Sequence, residues 1–161
     1  MKYGIIFFGL LLSACATAWS AQEAFPTECR WETLVRVVDG DTIIVGEKES
    51  IRFIGIDTPE MKHPEKPVQH YALESSRELK RLLDGQARVC LISDPEGDKK
   101  DIYKRTLAYV FRADGLDTNA EMIKRGAART YLYFPFSRKE EFRIYGEQAR
   151  SEQIGLWDRS E

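Results

Sequence analysis

Val38-Asp39-Gly40-Asp41-Thr42-Ile43-Ile44-Val45, the link Gly46-Glu47-Lys48-Glu49-Ser50, and Ile51-Arg52-Phe53-Ile54-Gly55-Ile56-Asp57-Thr58-Pro59-Glu60 are the stretch on which the chain turns. Two runs rich in β-branched residues on either side of a short polar link predict a β-hairpin. Its charged groups sit at the ends: Asp41 where the first strand begins, Arg52 on the second strand, Asp57 and Glu60 just past it. Strand alternation puts Arg52, Ile54 and Ile56 on one face and Phe53, Gly55 and Asp57 on the other. Pro59 stops the ladder and holds Thr58 extended, so Glu60 is presented from a stiff corner. Asp41 and Asp57, brought together by the hairpin, make a hard oxygen site suited to Ca²⁺. An arginine beside such a site suits a phosphate. Taken separately the pieces are ordinary, since Asp-Gly is a common turn dipeptide and Asp-Thr-Pro a common turn start. The signal lies in their combination.

The chain has 161 residues, enough for one domain with a single core. Charged residues at 31% and apolar residues at 43% are ordinary for a globular protein. A formal net charge of −2 argues against a tight, charge-driven nucleic-acid binder. It is compatible with an enzyme that must release its substrate and draws local positive charge from a bound cation.

Residues 1–21 read as an export signal, leaving 22–161 as the folded domain. Lys2 is the basic start, and Gly4 to Leu12 is an apolar run too short to span a bilayer. Two processing routes fit. Leu12-Ser13-Ala14-Cys15 resembles a lipobox, which would lipidate Cys15 and tether the protein to a membrane. Ala16-Thr17-Ala18 or Ala18-Trp19-Ser20 offers simple cleavage and a soluble product. Both place the protein outside the cytoplasm, periplasmic, secreted or membrane-anchored. Outside the cytoplasm Cys29 and Cys90 are expected to pair, closing a long loop and contributing about 2–4 kcal/mol. Cys90 alone would read as a small buried apolar group.

Along the rest of the chain, Trp31 to Val38 is a first strand and Met61 to His70, with Pro64 and Pro67, an exposed and mobile loop. Tyr71 to Asp84 is a helix with Ala72, Ser76, Leu79 and Leu83 on one stripe, thickened by Leu82, and Arg77, Lys80 and Arg81 on its wet side. Ala87 to Ser93 and Asp101 to Phe111 carry two more strands, separated by a polar loop. Thr118 and Glu121 read as a capping box opening a second helix that Gly126 ends. A third helix runs from about Ser137 to Gln153, burying Phe142, Tyr145 and Ala149, and Trp157 closes the core. His63 and His70 lie in polar sequence where hard oxygen donors already suffice, so neither is expected to bind metal. By pattern alone this is a small β-barrel capped by helices.

The stretch Val38-Asp39-Gly40-Asp41-Thr42, Arg52, Asp57-Thr58-Pro59-Glu60 and Lys62-His63-Pro64 closely resembles the staphylococcal nuclease family. The likeness extends to Tyr103-x-Arg105-x-Leu107-Ala108-Tyr109, to Tyr131-Leu132-Tyr133-x-Pro135, and to Glu147-x-Ala149 with Gly155-Leu156-Trp157. It implies an α+β fold, a five-stranded OB-fold barrel with three α-helices whose barrel face binds oligonucleotides. It implies Ca²⁺ ligands at Asp41, Asp57 and the Thr58 carbonyl, phosphate-binding catalytic arginines at Arg52 and Arg105, and a catalytic glutamate at Glu60. Tyr103, Tyr131 and Tyr133 would contact nucleotides, although Tyr131 and Tyr133 taken alone could equally be half-buried strand residues. The implied activity is Ca²⁺-dependent hydrolysis of DNA and RNA with low sequence specificity, leaving 3′-phosphate ends, by a monomer. The alternative is a catalytically silent OB module that binds oligonucleotides or a protein partner. Three positions depart from the family pattern: Ile102 and Phe134 stand where lysines occur, and Lys104 stands where a glycine occurs after the tyrosine.

Overall fold

The computed structural model describes residues 28–61 and 68–158. The expected signal segment with Cys15, and the loop stretch containing His63, lie outside the described residues.

The central hairpin forms as its β-branched runs dictate. Strand β2 (Thr42–Val45) pairs antiparallel with β3 (Glu49–Phe53), placing Thr42 opposite Arg52 and Val45 opposite Glu49. Ile43, Val45, Ile51 and Phe53 point inward and are fully buried. Strand β1 (Arg30–Val37) pairs with β2 on one side and with β5 (Arg88–Ile92) on the other. Strand β6 (Thr106–Phe111) runs parallel to β3 and antiparallel to β5, closing a barrel of order β1-β2-β3-β6-β5. Cys29 and Cys90 are joined across the β1–β5 wall, with Cα atoms 5.4 Å apart. Three helices cap the barrel: α1 (Ala72–Leu82), α2 (Thr118–Lys124) and α3 (Lys139–Ser151). The architecture is thus the expected α+β barrel with three helices.

Between β3 and the two-residue strand β4 (Ile56–Asp57) the chain turns at Ile54-Gly55, and Gly55 has φ +74°. A side chain at Gly55 would sit 2.7 Å from Phe142 and 2.8 Å from Phe136, so α3 packs directly on this backbone. The turn breaks the alternation expected from Arg52 to Asp57. Arg52 and Asp57, assigned to opposite faces by a period of two, meet each other, while Ile54 and Ile56 both enter the core. β4 pairs with β7 (Arg129–Thr130), with Asp57 opposite Arg129.

Helix α1 buries Ala72, Ser75, Ser76, Leu79 and Leu82 and leaves Arg77, Lys80 and Arg81 exposed, as its periodicity requires. The cap of α2 falls one residue earlier than the expected box. Asp117 is the N-cap, its carboxylate accepting from the Ala120 N–H at 3.1 Å, and Thr118 lies buried inside the first turn. Asn119 is fully buried and satisfied at both ends of its amide. Its oxygen accepts from the Val110 N–H at 2.9 Å and its nitrogen donates to the Ile54 carbonyl at 2.9 Å, tying α2 to β6 and to the β3–β4 turn. The expected core plug is also displaced by one residue. Leu156, in the final 3₁₀ turn (Gly155–Trp157), is the buried residue, and Trp157 is half-buried between the guanidiniums of Arg129 and Arg150.

Candidate active site

Asp41 starts β2 from a turn that only glycine allows. A Cβ on Gly40 would lie 2.8 Å from the Thr58 methyl and 2.9 Å from the Ser75 Cβ, so the Asp39-Gly40-Asp41 backbone lies against both Thr58 and helix α1. This close approach orients the Asp41 carboxylate. Its Oδ1 accepts from the Thr42 hydroxyl at 2.9 Å, and its Oδ2 accepts from the Thr58 N–H and hydroxyl, each at 3.0 Å. Asp41 and Thr58 are both buried.

Arg52 reaches the same point from β3. Its Nη2 lies 3.2 Å from Asp41 Oδ2 and 3.2 Å from Asp57 Oδ1. Its Nη1 donates to the carbonyls of Phe53 at 2.8 Å and Ile56 at 2.7 Å. One guanidinium therefore bridges two carboxylates and clasps the β3–β4 turn that carries Asp57. A charged group so enclosed must have its donors satisfied, and four acceptors meet that need.

The corner holds more negative charge than Arg52 balances. Asp39 also faces it, accepting from the Asp41 N–H at 3.1 Å. Burial, and then the neighbouring Asp41 charge, push the Asp39 carboxyl up to about 6. Burial likewise raises Asp57 above the ordinary carboxylate range, with Asp41 adding to the effect and Arg52 and Arg129 opposing it. Carboxylates that resist ionisation because they are buried beside another carboxylate are stabilised by an added cation. Among the described residues no three His, Cys, Asp or Glu converge as a closed metal cage. Asp41 and Asp57 lie within 3.2 Å of the same Arg52 nitrogen, and their hard carboxylate oxygens are of the type that suits Ca²⁺.

Glu60 follows two residues after Thr58 and is exposed. Its backbone is clamped to Gln69: the Glu60 N–H donates to the Gln69 side-chain oxygen at 3.2 Å, and the Glu60 carbonyl accepts from the Gln69 N–H at 3.2 Å. This pair of bonds fixes the Glu60 backbone against Gln69. Arg105 lies just before β6, whose register sets Thr106 beside Ile51 and Leu107 beside Arg52. Its Nε donates to Asp101 Oδ2 at 2.6 Å, and Asp101 Oδ1 accepts from the N–H groups of Tyr103 and Arg105, each at 2.9 Å. The Arg105 guanidinium lies 5.4 Å from the Tyr103 ring centre. Lys104 between them has φ +66°, the left-handed backbone that explains why a glycine suits this position.

Tyr131 and Tyr133 form a second group. Their ring centres are 6.0 Å apart at 30°. They follow β7 rather than lying in a strand, and Tyr133 is 88% exposed, so the half-buried strand reading does not hold for it. The Tyr131 N–H donates to the Gly55 carbonyl at 2.8 Å, joining this group to the turn that carries Asp57. His70 lies beside the Tyr71 ring, 6.1 Å between centres.

Asp41, Arg52, Asp57 and Thr58 thus converge by direct contact; Glu60 is bound through its backbone to Gln69, Arg105 precedes the strand paired with β3, and Tyr131 is bonded to Gly55. Three participants went unassigned in the sequence reading. Asp39 was detectable as the first carboxylate of an Asp-Gly-Asp turn. Asp101 is spaced four residues before Arg105, a distance at which such pairs meet. Arg129 had no sequence signal, because its position opposite Asp57 depends on a two-residue sheet.

A family model described as staphylococcal nuclease homologue matches residues 50–159. The thermonuclease of Staphylococcus intermedius is 42% identical over 142 residues, covering 83% of this chain and 80% of the relative. The thermonuclease of Staphylococcus hyicus is 40% identical over 128 residues, covering 77% and 73%. Endonuclease YncB of Bacillus subtilis (strain 168) is 38% identical over 133 residues, which is 80% of this chain and 62% of the Bacillus protein. The chain belongs to the family of staphylococcal nuclease homologues.

Proposed function

We propose that this protein is an exported, Ca²⁺-dependent endonuclease that hydrolyses the phosphodiester bonds of DNA and RNA with low sequence specificity and leaves 3′-phosphate ends. The observation that carries this reading is the Arg52 Nη2 set 3.2 Å from each of two crowded carboxylates, Asp41 and Asp57. Guanidinium and carboxylates in that arrangement form a mixed-charge corner in which an oxyanion and a dication can be held side by side.

Water attacking a phosphodiester builds negative charge on the equatorial oxygens. Arg52 and Arg105 meet that charge with forked N–H donors that stay protonated at any working pH. Bound at Asp41, Asp57 and the Thr58 carbonyl, Ca²⁺ would neutralise a phosphate oxygen and offset the carboxylate repulsion. Glu60, its backbone held by Gln69, would hold the attacking water and accept its proton on a carboxylate oxygen. Tyr103, Tyr131 and Tyr133 present exposed rings on which bases stack regardless of identity, which accounts for low specificity. Export follows from residues 1–21, with Cys15 lipidation giving a membrane tether and cleavage alone a soluble monomer.

Digestion of plasmid DNA and of RNA, each with Ca²⁺ and with a chelator, is the test. Cleavage that stops on chelation and leaves 3′-phosphate ends is the expected result. Binding of oligonucleotides with no cleavage in Ca²⁺ would establish the silent OB module instead. Metabolic labelling with a palmitate analogue distinguishes the export routes: label lost in Cys15→Ser marks a lipoprotein, and an unlabelled parent marks simple cleavage.

A further inference from the structure

The run Tyr131-Leu132-Tyr133-Phe134-Pro135-Phe136 holds four aromatic rings and no charge. Phe136 is buried and packs on Phe142, with ring centres 5.7 Å apart. Tyr131 is bonded through its backbone to Gly55 at the other end. The segment is therefore pinned at both ends and stiffened by Pro135, yet it leaves Phe134 62% exposed. A large apolar ring left in water on an anchored ribbon marks a binding surface. Phe134 does not stand alone: its ring centre is 5.9 Å from that of Tyr131, which in turn is 6.0 Å from Tyr133.

We propose that Phe134 is a base-stacking residue that extends the Tyr131–Tyr133 group to a third ring for unpaired bases. The inference rests on the nuclease reading and names a further substrate-binding residue of that site. The occupant follows from the chemistry of the patch. Its exposed side chains are aromatic rather than aliphatic, and Leu132 packs against the core. Flat rings without charge select flat, sequence-variable partners, which nucleobases are. The platform is continuous with the carboxylate corner through Gly55 and through Arg129 opposite Asp57, so a strand whose phosphate sits at Arg52 can extend across it. In a duplex the base faces are already stacked on their neighbours and cannot use the rings. Stacking rather than ion pairing also suits a chain of net charge −2.

The test is equilibrium binding in Ca²⁺, in a Glu60→Gln background that prevents turnover, of a labelled single-stranded oligodeoxyadenylate, the same strand with abasic sites, and a hairpin duplex. Removing one stacked base contact weakens binding by about 5-fold or more. Phe134→Ala is expected to weaken the single strand by about that factor, to leave the abasic strand and the duplex within about twofold, and to keep the parent melting temperature. Phe134→Trp should restore single-strand affinity, and Phe134→Lys should not, while steepening the salt dependence by about one ion. Unchanged single-strand affinity in Phe134→Ala, or an equal loss on all three ligands, would overturn the proposal. So would capture of a protein ligand on this face that Phe134→Ala releases while nucleotide binding stays intact. Absence of Ca²⁺-dependent cleavage in the unmutated protein would instead remove the nuclease reading and leave this binding comparison standing.

Discussion

The carboxylate corner and the aromatic rim are built by opposite means. At the corner, Asp41, Thr58 and Arg52 are enclosed, both terminal nitrogens of the bridging guanidinium have protein acceptors, and a missing Cβ at Gly40 permits the close approach. At the rim, Tyr103, Tyr133 and Phe134 stand largely in solvent, their rings touching Arg105 or the Tyr131 ring. A group that must meet charge in a transition state is worth most when it is prearranged and shielded from water. A group that must accept any base is better left open, because stacking needs a face and not a fitted pocket. The difference predicts that corner residues affect folding and turnover together, whereas rim residues affect affinity alone.

The largest expected effect separates the two arginines. Arg52→Ala and Arg105→Ala should each lower kcat by about 10²–10³-fold or more. Arg52→Ala should also destabilise the protein by roughly 3 kcal/mol in chelator, since it strands Asp41 in a buried site. Added Ca²⁺ should recover part of that loss. Arg105 is half-buried and its partner Asp101 keeps two backbone donors without it, so Arg105→Ala should melt close to the parent. Equal melting temperatures for the two variants in chelator would break the contrast.

Reducing the Cys29–Cys90 bond comes next. The bond lies on the β1–β5 wall, and no contact links it to Arg52, Glu60 or Arg105 among the described residues. Reduction should lower stability by about 2–4 kcal/mol, hence the melting temperature by several degrees, with room-temperature activity unchanged. Mass spectrometry of the protein under non-reducing conditions checks the bond directly, and two free thiols would remove it.

A smaller effect concerns pH. The Asp39 carboxyl is raised to about 6 in the folded chain by burial and by Asp41, against about 3.9 when unfolded. A raised acid contributes its stability below the unfolded value and loses it as pH rises through about 6. Without Ca²⁺ the protein should therefore become less stable between about pH 4 and 7, by on the order of 1 kcal/mol after solvent screening. Asp39→Asn, which keeps the oxygen that accepts from Asp41, should flatten that slope in thermal melts in chelator. An undiminished slope would place the titration elsewhere. The smallest effect is Lys104→Gly. Relieving the left-handed backbone at φ +66° should raise stability by up to about 1 kcal/mol, and a loss would mean that the lysine side chain compensates.

The hairpin and the carboxylates at its ends were legible because both rest on local pattern: β-branched runs, turn residues and fixed spacing. The parts that shifted depend on tertiary contact. Alternation from Arg52 to Asp57 failed because Gly55 turns the chain where Phe136 and Phe142 press on it. The α2 cap is Asp117 rather than Thr118, because the Asp117 carboxylate reaches the Ala120 N–H while Thr118 is buried in the first turn. Trp157 yielded the core to Leu156, since its ring lies between two arginines instead. Arg129 was invisible because a two-residue strand carries no periodicity, and its role exists only once β7 lies against β4.

The central claim is that Asp41, held against Thr58 and Arg52, makes this corner a Ca²⁺ site on which cleavage depends. Calorimetric titration of Ca²⁺ into the parent and into Asp41→Ala tests it most directly. The expected result is saturable binding in the parent, at the concentrations that support cleavage of single-stranded DNA, and loss of that binding in the variant while the variant stays folded. Unchanged Ca²⁺ affinity in folded Asp41→Ala would contradict it and place the cation elsewhere.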